Sequence, residues 1–466
     1  MRTYFGIHNH TYYSNIRLLD SINRPTALID KAIELGLSGI AITDHECLSG
    51  HMEINQYAKT IKEKFPYFKI ALGNEIYLTD DRQPGQKYFH FILIAKDAIG
   101  HKALRELSSI AWYHSYMDRG LERVPTTKSE LETIVNKYPG HLIATTACMG
   151  GELSTNALAM SLAEKVNDIA NAKVYYNNIV NFIAYCQKLF KDDFYIECAP
   201  SSTEDQCQTN AKLYRIAQAY NIPMVIGTDA HYLTQNERFV HKAYLNSKNG
   251  EREVDDFYEF SRLMDFDEAE ELLSLSFEGN RDIAANIINN TKIIQDKIQE
   301  YSLERKQMIP KVEVKDYPKC SAWEWDMYPT IRELLVSDDI QERYWVNECI
   351  QKLTEMNLDG NSEYAARLET EADVIKYIGE KLDDCLFAYF NTFKHYIDLF
   401  WECGSIVGPG RGSATGFLSN YLLGITQLDP IRWGLPYWRF LNKERAELPS
   451  LLLMLGSCKK RTLTVA

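Results

Sequence analysis

Short apolar runs alternate with longer stretches of helical periodicity over the first half of the chain. The runs, which are rich in β-branched and aromatic residues, lie at 4–8, 38–44, 68–78, 88–96, 141–146, 193–198 and 223–229. The intervening stretches, such as 99–113, 157–190 and 208–220, carry apolar residues at helical spacing. Regular alternation of strands and helices is typical of an α/β domain with a largely parallel sheet.

The pattern changes after about residue 235, where acidic, helix-prone segments at 253–273 and 280–299 follow. A stretch with Pro and Lys at 308–320 indicates a linker, and helices are predicted around 323–357 and 362–402. We therefore predict a first domain over 1–270, a helical connector and linker over 271–320, and a second domain over 321–449. Residues 450–466 form a tail in which an apolar run passes into a basic, Thr-rich end.

Composition narrows the class of protein. A length of 466 residues favours two or three domains, and 45% hydrophobic with 25% charged residues excludes wholesale disorder. No apolar run approaches the roughly 18 residues that span a bilayer, and the start lacks a basic region followed by an apolar one. These features predict a cytoplasmic protein without a membrane partner.

Charge and cysteine usage exclude two further classes. The net charge of −13 argues against a protein that holds nucleic acid only through a general positive charge. Ten cysteines without a C-x-x-C pair argue against a zinc ribbon or a redox dithiol.

Metal-ligating residue types concentrate near the predicted strands of the first domain. His8 and His10 share one face of their strand because alternate residues do. If the strands are parallel, their carboxyl ends meet at one mouth, where α/β enzymes place their active sites. The residues that would meet there are His8, His10, Asp44, His45, Glu75, His90, Cys148, Asp229 and His231, with Asp20 within reach from a loop.

This mixture of imidazole, carboxylate and thiolate suits Zn²⁺, Mn²⁺ or Fe²⁺ better than Mg²⁺. The candidates are too many for one ion, and two or three clustered ions would suit hydrolysis of a phosphoester. A single buried His or Cys in such a domain is more often structural, so the prediction depends on the whole set.

A second chemical signal is the glycine-rich stretch 406–416, IVGPGRGSATG. Its glycines allow the backbone to approach a phosphate closely, and a helix start after it would offer N–H groups. No G-K-[ST] follows at Walker spacing, so the alternative of an ordinary glycine-rich turn stays open.

The motifs HNHTYYSNIRLLD, AITDHECLSG, GNEIY, HFILIAKDAIGHKALREL, TTACMGGEL and IGTDAHYL closely resemble the polymerase and histidinol phosphatase (PHP) domain of bacterial DNA polymerase III alpha subunits. The resemblance implies a distorted seven-stranded (β/α) barrel with a trinuclear metal centre. It also implies that Asp44 orients its neighbours. The segment between His10 and Asp20 departs from the family pattern, because it is longer than usual. The implied ligands are His8, His10, Asp20, His45, Glu75, His90, Cys148, Asp229 and His231.

The stretch VGPGRGSATG, followed by YLLGITQLDP and RFLNKER, resembles the palm entry of the same subunits. The resemblance implies that Arg411, Gly412 and Ser413 contact an incoming nucleotide, although Phe417 stands where relatives usually carry a second Ser. The family's alternating aspartates, which hold two Mg²⁺ ions, are replaced after Pro449 by Ser450, Leu452 and Met454. Residues 321–449 are therefore predicted to be a partial palm, and Mg²⁺ is expected only for an intact one.

We accordingly predict a replicative polymerase alpha subunit that is truncated before its catalytic aspartates. Its PHP centre would be a metal-dependent phosphoesterase or 3′-to-5′ exonuclease. The implied partners are DNA, deoxynucleoside triphosphates and, at full length, other replisome subunits. The alternatives are a free-standing phosphatase of a small phosphomonoester and a non-catalytic structural fragment.

Overall fold

A computed structural model describes residues 2–445 apart from 17–18, 84, 119, 248–255 and 307. The predicted tail at 450–466 lies outside the described residues. The chain divides into two compact units, the first ending at Arg305 and the second starting at Lys306. In the part of the chain so described, no helix is long and apolar enough to cross a membrane.

The first unit is built on one large sheet and a small two-stranded ribbon. The large sheet has the order β1-β2-β3-β4-β8-β9-β10, with β7 pairing with β3, and β5 and β6 form the ribbon. The strands are β1 (Phe5–Gly6), β2 (Gly39–Ile42), β3 (Lys69–Thr79), β4 (Phe89–Ala95), β5 (Tyr116–Asp118), β6 (Leu121–Arg123), β7 (Pro125–Thr127), β8 (Leu142–Thr145), β9 (Phe194–Cys198) and β10 (Met224–Ile226).

The sheet closes on itself beyond the ends of β1 and β10. Asn9 and Ala230 form a parallel bridge. The His10 N–H donates to the Ala230 carbonyl at 3.0 Å, and the Ala230 N–H donates to the His8 carbonyl at 3.3 Å. Seven strands thus follow one another around a barrel-like sheet, which confirms the predicted fold class.

One strand departs from the parallel arrangement that the sequence predicted. β4 is antiparallel to both of its neighbours, β3 and β8. Only 80–88 separate β3 from β4, and so short a connection favours an antiparallel hairpin over a helical crossover. This reversal is the distortion of the barrel.

Strand periodicity divides the buried residues into two layers. Ile40 and Ile42 belong to the core between strands and helices, whereas Ala41 belongs to the core inside the barrel. Alternate residues of a strand face opposite sides of the sheet. Because both sides are buried here, the strands are apolar at almost every position. The helices outside the sheet are α1 (Pro25–Glu34), α2 (His51–Ile61), α3 (Ala98–Tyr113), α4 (Lys128–Lys137), α5 (Glu152–Lys165), α6 (Ile169–Phe190), α7 (Glu204–Tyr220), α8 (Arg238–Asn246), α9 (Phe266–Ser274), α10 (Arg281–Asn289) and α11 (Thr291–Lys297).

The segment predicted as a connector, 271–320, is split between the two units. Ile287 and Ile288 of α10 are buried in the outer core, and Ile294 of α11 is buried in the core inside the barrel. These apolar residues lie on one face of otherwise polar helices. The acidic residues that suggested a separate connector lie on the exposed face of the same helices. The boundary between the units lies at residues 305 and 306 instead.

The second unit is helical over the residues that the structure describes. The predicted helix at 362–402 is interrupted at Asp383, which has a φ of 55°. The hydrophobic core of the second unit contains Trp345, Phe390 and Phe417, which are all fully buried. The helices are α12 (Pro329–Leu335), α13 (Ile340–Glu355), α14 (Ser362–Leu382), α15 (Leu386–Glu402) and α16 (Leu418–Leu422).

Candidate metal centre

Side chains from six segments of the first unit meet at one mouth of the barrel, and four of these segments follow or lie within the parallel strands. His8 and His10 follow β1, His45 follows β2, and Asp229 and His231 follow β10. Glu75 lies within β3. It forms a parallel bridge with His45, which extends the pairing between β2 and β3.

His90 reaches this mouth from the opposite direction along the chain. It is the second residue of β4, and because β4 is antiparallel, its amino end lies where its neighbours have their carboxyl ends. The expectation that every ligand sits at a carboxyl end is therefore wrong for His90, although its position at the mouth is as predicted.

Eight of the nine predicted ligands form three groups, each with ligand atoms within 4.8 Å of one another. His10, His45 and Glu75 each belong to two groups, so the three positions are contiguous. The groups are His10, Asp20, His45 and His231; His8, His10, Glu75 and Asp229; and His45, Glu75 and His90.

Cys148 is the ninth predicted ligand and lies at the edge of the cluster. Its Sγ is 3.6 Å from His90 Nδ1. Burial, together with the carboxylates of Asp229 and Glu75, raises the pKa of the Cys148 thiol well above its usual range. The thiol is therefore protonated in the metal-free protein, and a bound cation would be needed to favour the thiolate.

Opposite charges at close range set the electrostatics of the cluster. His8 Nε2 lies 3.1 Å from Asp229 Oδ1, and His10 Nε2 lies 3.1 Å from Glu75 Oε2. Burial opposes protonation of His8, but Asp229, Glu197 and Glu75 outweigh it and raise its pKa well above the usual value. Without metal, the proton on His8 thus balances part of the negative charge of these carboxylates.

Several buried atoms of the cluster lie close to one another without the geometry of a hydrogen bond, as His231 Nε2 does at 3.0 Å from Asp20 Oδ2. Since buried polar atoms are nearly always partnered, their accumulation at one place indicates that something else satisfies them. The donor set of imidazole and carboxylate atoms fits divalent transition metals. The atoms without a properly directed hydrogen bond are Asp20 Oδ2, His45 Nδ1, Glu75 Oε2, Asp229 Oδ1 and His231 Nε2.

Hydrogen bonds fix the outer nitrogen of three imidazoles. His8 Nδ1 donates to Glu197 Oε1 at 2.6 Å, and His231 Nδ1 donates to the Asp229 carbonyl at 2.7 Å. His10 Nδ1 donates to Ser14 Oγ at 3.0 Å, and Ser14 in turn donates to Asp44 at 2.8 Å. A bound cation could therefore meet the lone pair of each Nε2, which is the arrangement found around metal-bound histidines.

Asp44 lies one step back from the cluster, at the position that the resemblance implied. Besides Ser14, it accepts hydrogen bonds from the Thr11 N–H at 2.6 Å and the Thr11 hydroxyl at 2.8 Å. It is fully buried and holds the turn that carries His10.

Glu197 is a functional residue that sequence reasoning missed. It is buried in β9, contacts His8, and accepts a hydrogen bond from the Thr145 hydroxyl. Gly227 makes room for it, because a Cβ there would stand 2.0 Å from Glu197 Oε1. The available signal was a lone carboxylate inside the apolar run FYIEC.

Backbone strain accompanies the cluster. Glu46, Ala147 and Asp229 have positive φ values of 52°, 57° and 46°. Each is in or next to a predicted ligand position, and non-glycine residues adopt this conformation at a cost. The strain aims His45, Cys148 and Asp229 toward the mouth.

The glycine-rich stretch of the second unit presents Arg411, Gly412 and Ser413 on the surface. Its following helix start does not offer free N–H groups as expected. The Leu418 and Ser419 N–H groups donate to the buried carboxylate of Glu371 at 2.6 and 2.8 Å. Any phosphate contact would therefore involve the exposed turn before the helix, and the nucleotide role of these three residues stays a prediction.

Two family models match the chain. Residues 6–201 match the PHP domain, and residues 334–453 match the bacterial DNA polymerase III alpha NTPase domain.

Relatives match along nearly the whole chain. The probable DNA polymerase YorL of Bacillus subtilis (strain 168) is 37% identical over 470 residues, covering 96% of this chain and 36% of the relative. The DNA polymerase III subunit alpha of Campylobacter jejuni is 29% identical over 473 residues, covering 97% of this chain and 36% of the relative. The chain thus spans about a third of the length of these curated relatives.

Among solved structures, a putative metal-dependent phosphoesterase from Bifidobacterium adolescentis matches with a TM-score of 0.30 and 16% identity. It covers 59% of this chain and 97% of its own, and so low a TM-score adds nothing to the description of the fold. The two family matches and the relatives instead confirm the predicted resemblance to the PHP domain and to bacterial DNA polymerase III alpha subunits.

Proposed function

We propose that the barrel mouth is a divalent-metal phosphoesterase centre that removes nucleotides from the 3′ end of DNA. The observation that carries this proposal is the sharing of His10, His45 and Glu75 among three adjoining ligand groups. Shared ligands keep bound ions close together, and clustered ions are suited to displacement at phosphorus.

The proposed ligands are the eight grouped residues, with Cys148 completing the position beside His90. Zn²⁺, Mn²⁺ or Fe²⁺ would fit this donor set, and bound ions would supply Lewis acidity toward the phosphate oxygens and the attacking water. The chain itself supplies the orientation, because Glu197, Ser14 and the Asp229 carbonyl hold three imidazoles in the ligating tautomer.

His90 marks the side from which substrate would enter. Its side chain is 26% exposed, whereas those of His8, His10 and Glu75 are fully buried. A phosphodiester would therefore meet the position of His45, Glu75 and His90 first, with the other two positions behind it.

The relation to polymerase alpha subunits supports DNA as the substrate over a small phosphomonoester. The same relation supports the proposed partners, which are DNA, deoxynucleoside triphosphates and other replisome subunits. A free phosphatase of the histidinol-phosphate type would have no use for a second unit with a glycine-rich stretch.

The test is hydrolysis by the purified chain loaded in turn with Zn²⁺, Mn²⁺ and Fe²⁺. We expect release of mononucleotides from a DNA with a 3′ label, no release from the same DNA blocked at its 3′ end by a phosphorothioate, and little turnover of histidinol phosphate. The variant His10→Ala removes a ligand shared by two groups and should abolish cleavage. Faster turnover of histidinol phosphate than of DNA would favour the phosphatase instead.

We further propose that this chain does not polymerise by itself. Ser450, Leu452 and Met454 stand where the family's alternating aspartates are expected, and none of these side chains can hold Mg²⁺. Primer extension with Mg²⁺ and all four nucleotides should show no added nucleotide, and measurable extension would refute this proposal.

A further inference from the structure

A groove of about 540 Å³ adjoins the metal centre, between helix α3 and the loop after strand β2. Residues 47–49 line one side of it and begin two positions after the proposed ligand His45. On the other side, the Trp112 indole N–H donates to the Glu46 carbonyl at 2.7 Å. Consecutive Cα atoms are about 3.8 Å apart, so the groove starts within about 8 Å of His45. It is thus next to the ligand group that contains the partly exposed His90.

One face of helix α3 supplies the polar side of the groove. Four residues of this face line it at relative spacings of three, four and seven, which places them in one row along the helix. They are Arg105, Ser108, Ser109 and Trp112. Arg105 and Ser109 are exposed, and Ser108 and Trp112 are partly exposed. Seven residues of helix span roughly 10 Å, so the row extends well away from the metal centre.

Arg105 brings an open positive charge to the groove. Within the described part of the chain, no carboxylate lies at ion-pair distance from its guanidinium. The whole chain carries a net charge of −13, so this cation does not belong to a generally basic surface. A guanidinium without a protein partner is suited to bind a phosphate group.

Trp112 brings aromatic surface to the end of the row that is nearer to the metal centre. Its hydrogen bond to Glu46 holds the ring in place, and Ile16, which is 51% exposed, adds apolar surface to the same groove. Bases of a single strand stack on aromatic side chains, whereas bases in a duplex are already stacked on one another. Aromatic surface beside the metal centre, followed by a guanidinium, therefore suits an unpaired strand better than a duplex.

We propose that this groove holds the unpaired 3′ strand of DNA, with a base on Trp112 and a phosphate on Arg105. The terminal phosphodiester would then lie at the metal centre. The Ser108 and Ser109 hydroxyls, which lie between the two along the helix, would bind sugar or phosphate oxygens. The inference rests on the proposed function and adds to it a preference for an unpaired 3′ end over a paired one.

The test is binding of a 5′-labelled oligothymidylate to the full chain, followed by fluorescence anisotropy with a chelator present so that no cleavage occurs. The single strand should bind at least about tenfold more tightly than a blunt-ended DNA hairpin. Trp112→Leu should weaken binding of the single strand by about 5- to 100-fold. Trp112→Phe also loses the bond to Glu46 but keeps an aromatic ring, so its affinity should stay within about threefold of the wild type.

The salt dependence of binding tests the phosphate contact separately. Arg105→Gln should reduce the slope of log K against log salt concentration by about 0.7, the value for one phosphate contact on a single strand. Arg215→Gln, which removes an exposed arginine of helix α7, should leave the slope unchanged. Equal affinity for strand and hairpin, equal losses in Trp112→Leu and Trp112→Phe, or an unchanged slope in Arg105→Gln would overturn the proposal.

Hydrolysis of bis(p-nitrophenyl) phosphate by the wild-type chain loaded with Mn²⁺ tests the proposed function apart from the groove. This small diester can meet the metal centre without occupying the groove. Its hydrolysis, combined with no preference for a single strand, would overturn the groove and leave the phosphoesterase centre standing. Strand binding with the expected effects of the variants, but without hydrolysis of the diester, would support the groove and contradict the proposed function.

Discussion

At the scale of single residues, the metal centre depends on atoms that would never touch a metal. His8 can present Nε2 to the cluster only while Nδ1 carries its proton, and the carboxylate of Glu197 at 2.6 Å favours that tautomer. Such outer carboxylates also raise the basicity of the ligand. Glu197 is therefore as informative a target as any of the predicted ligands.

We predict that Glu197→Gln weakens metal binding by about 10- to 100-fold, the usual effect of removing an outer partner of a metal-bound histidine. The amide keeps the size of the side chain and one accepting oxygen but removes the negative charge, so His8 loses the carboxylate that raises its basicity as a ligand. The measurement is a competition titration with a chelator of known affinity.

Gly227→Ala provides an independent check, because its Cβ would displace the Glu197 carboxylate without changing its charge. It should weaken metal binding in the same direction. Glu204→Gln, on helix α7 and exposed, should bind metal as the wild type does. Equal affinity in Glu197→Gln and the wild type would show that the contact with His8 is incidental.

At the scale of elements, helix α16 begins on a carboxylate from helix α14. Glu371 accepts the first two N–H groups of α16, and Arg367 joins it at 2.9 Å while donating to the Gly416 and Leu435 carbonyls. Glu371 and Arg367 thus fix the backbone at the C-terminal end of the glycine-rich stretch. The exposed turn at 411–413 is then the part of the stretch that could still contact a phosphate.

Glu371→Gln should lower the free energy of unfolding of the second unit by about 1–3 kcal/mol, since the amide accepts only one of the two N–H groups and places its own NH₂ against the other. Urea unfolding followed by tryptophan fluorescence measures this, because six of the seven tryptophans lie beyond residue 320. Glu380→Gln, exposed near the end of the same helix, should have little effect. A midpoint like that of the wild type would contradict the capping role.

Helices α2 and α3 meet through a buried pair of histidines that should make folding sensitive to acid. His51 Nδ1 lies 3.0 Å from His101 Nε2. Burial and the neighbouring His101 lower the pKa of His51 to about 3, and burial and Arg105 lower that of His101 to about 4. Both rings are neutral in the folded protein at pH 7.

The unfolded chain takes up these protons near pH 6.5, whereas the folded chain does so only near pH 3 to 4. The stability that depends on the neutral pair is therefore complete above pH 6.5 and falls as the pH drops toward 4. In His51→Gln, the slope of unfolding free energy against pH between 4 and 6 should be smaller by about 1.4 kcal/mol per pH unit. Parallel slopes in variant and wild type would show that His51 does not titrate differently on folding.

The sequence predicts where the strands lie better than it predicts their direction or the partners of their side chains. The two layers of buried residues made the strands easy to locate, but an apolar run such as FHFILIA carries no information about direction, so the reversal of β4 was missed. Glu197 was hidden for a similar reason, because a residue in the middle of a buried strand has no sequence context that reveals its partner. The grouping of eight predicted ligands at one mouth could be anticipated because these residue types are rarely found together near the ends of neighbouring strands.

At the scale of the whole molecule, the division at residues 305 and 306 predicts two unfolding transitions of different chemistry. The metal ligands all lie in the first unit, whereas Trp112 is the only tryptophan before the division. Calorimetry would detect both transitions, and tryptophan fluorescence would report mainly the second unit.

Saturating Zn²⁺ or Mn²⁺ should raise only the transition of the first unit. Binding at a hundredfold excess over Kd adds about 2.7 kcal/mol to the folded state, which corresponds to several degrees in Tm for a unit of this size. The fluorescence transition should stay in place, and chelation should reverse the calorimetric shift. In His10→Ala, which lacks a ligand shared by two groups, the shift should be much smaller. An equal shift of both transitions would contradict the prediction, because it would show that the two units unfold together.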